Sequence, residues 1–247
     1  MALREEFEGE GNWLFRWRSY LPLVLLVLVL IVMEDFTYLG NSTTLDTVWE
    51  VFCVLVSSVG LAVRAFTIGY APRGTSGRNT AGQMAEVLNT TGIYSIVRHP
   101  LYVGNFIMWL GLSLFPHLWW LTVIYILAFW LYYERIMYTE EHFLRGKFGE
   151  QYDAWAEKTP PFIPNVKLWR PPNLPFSFRN VLRREYNGFF AMVVTFFVLE
   201  VRGDLAVEGR LILETGWLIL LGVSFVIWLV LRTLKRKTAL LDVEGRQ

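Results

Sequence analysis

The chain has 247 residues, 54% of them hydrophobic and only 18% charged, with a mean hydropathy of +0.37. Water-soluble domains carry about 25% charged residues, so the composition excludes a soluble globular fold as well as disorder, and a single cysteine, Cys53, excludes a disulfide scaffold. The net charge of +1 gives nucleic acid no positive field to bind, and three histidines with one cysteine are too few for zinc–thiolate chemistry, so no metal is expected.

A helix needs about 20 mostly apolar residues to cross the hydrocarbon core. Six stretches approach this in chain order: Tyr20 to Met33, Val48 to Ile68, Leu101 to Phe115, Leu118 to Tyr133, Phe189 to Leu199 and Leu211 to Leu231. Trp13, Phe15 and Trp17 extend the first at its interfacial end, and Glu200 and Arg202 cut the fifth short. Basic residues mark the cytoplasmic side. The N-terminal tail, the stretch 69–100, the stretch 134–186 and the C-terminal tail together hold twenty of them, against Arg202 and Arg210 on the other side. The expectation is an all-α, polytopic transmembrane bundle of about six spans with both termini cytoplasmic. Its membrane is a bacterial inner membrane or one resembling the endoplasmic reticulum. No cleavable signal peptide is expected, since no small-residue cleavage site follows the first apolar run.

Polar residues concentrate in two places. The Gly-rich connection 69–100 carries Arg73, Arg78, Gly74, Gly77 and Gly82 and ends in Gly92-Ile-Tyr94-Ser-Ile-Val-Arg98-His99-Pro100, directly before the third span. Pro100 suits the first turn of a helix, where its missing amide hydrogen is not needed, and such a turn attracts carboxylates and phosphates. The second concentration follows the fourth span. From Leu118 to Lys147 no proline interrupts the chain, which predicts a helix about 45 Å long against a hydrocarbon core of about 30 Å. Its projecting third reads Glu134-Arg135-Ile-Met-Tyr138-Thr-Glu140-Glu141-His142, with a stop at Phe148-Gly149 and a short helix around Tyr152 and Trp155. A solvated amphipathic helix would give the same pattern. Glu50 and Arg64 lie about 21 Å apart along one helix and cannot pair. Glu50 is expected to snorkel from the end of its span, while Arg64 sits on the cytoplasmic half.

Together the two concentrations carry a resemblance. Gly92-x-Tyr94-x-x-Val97-Arg98-His99-Pro100-x-Tyr102-x-Gly104, followed after a two-helix hairpin at Pro116-His117 by Arg135-Ile136-x-x-x-Glu140-Glu141-x-x-Leu144-x-x-x-Phe148-Gly149-x-x-Tyr152 and Phe162-Ile163-Pro164, resembles the integral-membrane methyltransferases. These are typified by isoprenylcysteine carboxyl methyltransferase and the phospholipid N-methyltransferases. The resemblance covers about residues 90–165.

It implies that S-adenosylmethionine binds on the cytoplasmic side, in a site made of helix ends and loops. By motif, His99, Tyr102 and the backbone of Pro100, Leu101 and Gly104 would contact it. Glu140 and Glu141 would hold its polar groups, and Arg135 would lie near the reacting centre. The cofactor's cationic ammonium and sulfonium suit carboxylates and aromatic faces such as Tyr94, Tyr102 and Tyr138. A carboxylate acceptor would want a cationic anchor, Arg98 or Arg135, whereas an amine must lose a proton, for which Glu141 or His99 stands nearest. The expected partner is a lipid or lipid-linked acceptor in the membrane.

The chain then divides into N-terminal helices and loop (1–90), the methyltransferase-like core (91–165), and a basic interfacial linker with two C-terminal spans (166–247). The linker, Leu168 to Tyr186, is rich in Pro and Arg and suits anionic headgroups. Two alternatives stay open: an NADPH-dependent membrane sterol-type reductase, which shares a His-Pro-x-Tyr turn, and a non-catalytic membrane scaffold.

Overall fold

The computed structural model describes residues 3–18, 20–72, 83 and 85–246, with the side chains of residues 3, 4, 21 and 22 left aside. Arg73, Arg78, Gly74, Gly77 and Gly82 of the polar connection lie outside the described residues. Among those described, the chain is helical with no named strand: α1 (Leu3–Trp17), α2 (Leu21–Val32), α3 (Thr43–Tyr70), α4 (Pro100–Leu114), α5 (Trp119–Phe148), α6 (Glu150–Ala156), α7 (Phe178–Glu208) and α8 (Thr215–Lys237).

Two of these helices, α3 and α8, are long and apolar enough to cross a membrane, and α4 is a shorter apolar helix. Around α8 the side chains of Ile219, Val223, Val226 and Val230 stand half exposed, as do Val24, Val27 and Ile31 on α2. Soluble monomers rarely leave so much apolar surface open, and hydrocarbon is the solvent that suits it.

In lipid, helices gain little from burying apolar side chains against each other. Close packing at small residues and interhelical hydrogen bonds carry more of the association. The α3–α4 contact, the most extensive in the fold, is built this way. Gly60 and Gly104 face each other across it, a Cβ on Gly60 falling 2.6 Å from the Gly104 carbonyl oxygen, and Ser57 Oγ donates to the Met108 carbonyl at 2.7 Å. The hairpin between α4 and α5 turns at Pro116-His117 as expected, with His117 in the left-handed region at φ 60°. The uninterrupted α5 has the expected length, and Gly149, at φ 51°, ends it and opens α6.

Two features depart from the sequence reading. The stretch Leu168 to Tyr186 is helical from residue 178 onward, where no element was expected. The Ser177 hydroxyl accepts from the Asn180 amide and caps α7, so Phe178 to Tyr186 form its first turns. Glu50 does not snorkel either. It is buried and shares a hydrogen bond with Glu200 of α7, because that helix packs against α3. The N-terminal tail, from which no element was expected, forms α1 and lies along the projecting part of α5. Gly11 lets the two helices touch: a side chain there would strike the Thr139 hydroxyl and the Arg135 carbonyl.

Candidate active site

The Arg-His-Pro turn is held from outside its own segment. The Arg98 and His99 amides donate to the carbonyls of Pro160 and Pro161 at 2.9 and 3.2 Å, and the Asn165 amide donates to Ile96 at 2.9 Å. Gly92 and Arg170 form an isolated antiparallel bridge, and Trp155 Nε1 donates to the Tyr94 carbonyl at 3.0 Å. Gly92 sits at φ 60°, which a side chain adopts only under strain. Thus the residues flanking Phe162-Ile163-Pro164, namely Pro160, Pro161 and Asn165, are the backbone partners of the turn, which ties the two halves of the motif together. His99 caps α4, and its carbonyl takes the amides of Tyr102 and Val103.

This clamp brings the turn against the projecting part of α5. His99 Nε2 lies 2.9 Å from Glu141 Oε1, and its Nδ1 lies 3.5 Å from Glu140 Oε2. Arg98 Nη1 donates to Glu141 Oε2 at 2.7 Å and to the Tyr152 hydroxyl at 3.3 Å. The Tyr102 hydroxyl donates to Glu140 Oε1 at 2.6 Å, and its ring stacks on His99. Burial works against the charge of Glu141, but its hydrogen bond to His99 and the charges of His99 and Arg98 outweigh it. Its carboxyl titrates below the ordinary range. Burial likewise presses His99 down, but hydrogen bonds to Glu140 and Glu141 leave the imidazole above its ordinary value. Each partner therefore favours the charged form of the other.

A cavity of about 630 Å³ opens beside it, lined by Tyr94, Arg98, His99, Pro100, Leu101, Tyr102, Glu140 and Glu141 among others. That volume is in the range of cofactor sites. The donor set fits S-adenosylmethionine: two carboxylates for its cationic groups, aromatic rings beside them, and Arg98, whose Nε is buried without a partner among the described residues.

Residues 51–151 match the phospholipid methyltransferase family. A nickel-cobalt-cadmium resistance protein of Alcaligenes xylosoxydans xylosoxydans is 34% identical over 154 residues, 62% of this chain and 65% of that protein. A cobalt-zinc-cadmium resistance protein of Cupriavidus metallidurans is 39% identical over 90 residues, 36% of this chain and 41% of that one. A protein-S-isoprenylcysteine O-methyltransferase of Schizosaccharomyces pombe is 38% identical over 81 residues, 33% of this chain and 34% of the enzyme. Over residues 51–151 the chain is similar to the phospholipid methyltransferase family, and over about a third of its length to isoprenylcysteine O-methyltransferases. It spans less than two thirds of the length of each of these relatives. No solved structure matches it. Among the described residues no group of three or more His, Cys, Asp or Glu is arranged to hold a metal ion.

Eight of the ten site residues singled out from sequence line this cavity. Two do not. Arg135 points away from it: its guanidinium donates to Glu10 of α1 at 2.5 Å and to the Leu131 carbonyl at 2.9 Å, and lies over the Phe7 ring. The reason is helical spacing, since positions 135, 138, 139 and 142 form the α5 face that α1 covers, with Phe7 edge-on to Tyr138. Gly104 packs on α3, where a Cβ would lie 2.5 Å from the Arg64 side chain.

The cavity also has walls outside the family match. Phe15 and Arg18 reach it from the N-terminal end of the chain, and Arg184, Glu185, Asn187 and Gly188 reach it from α7. Arg18 comes within 3.9 Å of Glu140. Arg64 and Asn105, inside the match, line it as well. Of these only Arg64 carried a sequence signal, a charge inside an apolar span.

Proposed function

We propose that this protein transfers a methyl group from S-adenosylmethionine to a lipid or lipid-linked acceptor at the cytoplasmic membrane face. The observation that carries the reading is the convergence of Arg98, His99, Tyr102, Glu140 and Glu141 on one cavity. Glu140 and Glu141 would hold the cofactor's ammonium, and Tyr94 and Tyr102 would face its sulfonium. Bound there, the cofactor supplies a methyl carbon whose bond to sulfur breaks with its electron pair going to sulfur, as the acceptor's lone pair forms the new bond. The protein's share is then to align donor and acceptor and to exclude water. Burial among aromatic rings at Tyr102 and Tyr133 supports this.

The charge state of the clasp favours one acceptor class. An amine acceptor needs a base, and the nearest carboxylate, Glu141, is a weakened one because His99 and Arg98 lower its pKa. An acceptor already anionic, such as a prenylcysteine-like carboxylate, needs none; a phospholipid amine fits less well. The relatives named as methyltransferases support methyl transfer over sterol-type reduction or a scaffold role.

The reading extends to topology: six spans with cytoplasmic termini, the core at 91–165, and helices on either side walling the site. The apolar helices α3 and α8, the shorter α4, the apolar runs within α2, α5 and α7, and the side bias of basic residues support it. Labelled S-adenosylmethionine incubated with the purified protein and a membrane lipid extract tests the function, with the labelled product identified by mass. A methylated lipid acid is expected; absence of lipid-borne label overturns the reading.

A further inference from the structure

Arg64 stands where the cavity turns from the charged clasp toward the apolar part of the bundle. On α5, Tyr133 precedes Glu140 by seven residues, about 10 Å along the helix toward its apolar stretch. A polar path follows that direction: Glu140 to the Tyr102 hydroxyl, Tyr102 to Tyr133 with ring centroids 4.7 Å apart, and the Tyr133 hydroxyl accepting from Asn105 Nδ2 at 3.2 Å. Arg64 then donates to Asn105 Oδ1 at 2.5 Å and, through Nε and Nη2, to both oxygens of Glu185 at 2.8 Å. The pair is well enclosed, with side-chain exposures of 18% for Arg64 and 5% for Glu185.

A guanidinium carries five N–H donors. Three are used in these bonds, so one on each terminal nitrogen has no partner among the described residues, and the side chain lines the cavity. Two adjacent donors on a planar cation match the oxygens of a carboxylate or phosphate. Glu185 cannot offer itself to an incoming ligand while both its oxygens hold Arg64. Arg18 and Arg184 line the same cavity and add to its positive field. The cofactor-type residues lie at the other, clasp end, so a lipid entering from the apolar side meets Arg64 first.

We propose that Arg64 recognises an anionic oxygen of the acceptor, and that Glu185 and Asn105 are positioning residues that aim its guanidinium. The inference rests on the methyl-transfer reading and assigns α7, outside the family match, to acceptor selection. The oxygen belongs either to the carboxylate that is methylated or to the phosphate of a headgroup methylated elsewhere.

The test measures initial rates with labelled S-adenosylmethionine over a range of mole fractions of membrane lipid extract in vesicles, alongside calorimetric affinity for S-adenosylhomocysteine. Arg64→Lys and Glu185→Gln should raise the acceptor KM at least tenfold, as expected for losing a charge-assisted hydrogen bond. Affinity for S-adenosylhomocysteine should stay within about threefold of wild type. Gly188→Leu, whose Cβ would meet Glu185 Oε2 only at an ordinary van der Waals 3.5 Å, should fill the same end and raise KM while keeping both charges of the ion pair. It decides the matter if the other two variants fail to fold. Label released as methanol by mild base marks a carboxyl ester and the first source; base-stable label on an amine marks the phosphate. An unchanged acceptor KM, or a parallel loss of S-adenosylhomocysteine affinity, overturns the inference. A wild-type protein that binds S-adenosylhomocysteine but labels no lipid overturns the methyl-transfer reading beneath it.

Discussion

Two buried polar clusters stand at opposite ends of the bundle. At one, Arg98, His99, Glu140 and Glu141 border a cavity of about 630 Å³. At the other, Glu50 is hydrogen-bonded to Glu200, His117 Nε2 lies 3.2 Å from Asp46, and the Tyr38 hydroxyl donates to Asp204 at 3.1 Å. This second cluster has four carboxylates to the first one's two, and they pack against each other and against backbone groups, the Leu39 amide donating to Asp46 at 3.0 Å. Asp204 Oδ2 is buried with no hydrogen-bond partner among the described residues. Phe36 and Trp49 pack against its histidine. The difference teaches that charge inside a span is not itself a sign of chemistry. Opposed charges arranged around space can serve a ligand, whereas acids packed between helices tie those helices together.

The sharpest way to break the comparison is to remove one member from each cluster. Glu141→Ala leaves His99 and Arg98 without their shared carboxylate, and affinity for S-adenosylhomocysteine should fall about 30-fold or more, since hydrogen bonds between charged groups contribute about 1.5–3 kcal/mol each. Asp46→Ala at the other end should leave that affinity unchanged. It should instead lower the thermal midpoint, by the roughly 1–3 kcal/mol that an orphaned buried donor costs. If Asp46→Ala weakens ligand binding as much as Glu141→Ala does, the distinction fails.

A smaller effect concerns pH. His99, with its pKa raised, stabilises the folded clasp fully below its ordinary value of 6.5, and that contribution is lost as pH rises through the raised value. Glu141, with its pKa lowered, contributes fully above 4.5, and its contribution is lost as pH falls through the lowered value. Thermal stability should therefore be greatest between about pH 5 and 6.5 as far as this clasp decides it. Glu141→Gln should remove the acid limb and His99→Asn the alkaline one. Unaltered profiles in both variants would show that the clasp is not a charged pair.

The smallest expected effect belongs to Arg135→Ala. Because its guanidinium is turned to Glu10, S-adenosylhomocysteine affinity should change less than about twofold. Gly11→Leu, by contrast, should lift α1 from α5, expose the N-terminal segment to protease and disturb Arg18. A large loss of ligand binding in Arg135→Ala would return that residue to the cavity.

Much of this was legible in the sequence. The helix of thirty residues from Leu118 onward, its glycine stop and the hairpin at Pro116-His117 follow from apolar runs and breakers, which act locally. The residues of the clasp came through the resemblance, since the turn at Arg98, His99 and Pro100 and the pair Glu140 and Glu141 taken singly read as a helix start and a solvated face. What escaped depends on which helices meet. Arg135 and Glu141 are six residues apart on one helix, and only the docking of α1 decides that the first is covered and the second faces the cavity. Glu185 stood in a Pro- and Arg-rich stretch whose composition concealed the Ser177 cap. Its pairing with Arg64, 121 positions away, has no local signal.

The central claim is that the cavity between the Arg-His-Pro turn and α5 takes S-adenosylmethionine. Titration calorimetry of the purified, detergent-solubilised protein with S-adenosylhomocysteine, and separately with NADPH, tests it most directly. One equivalent of S-adenosylhomocysteine should bind to the wild type and about 30-fold or more weakly to Glu141→Ala, and NADPH should give no saturable heat. Saturable binding of NADPH with none of S-adenosylhomocysteine would contradict the account.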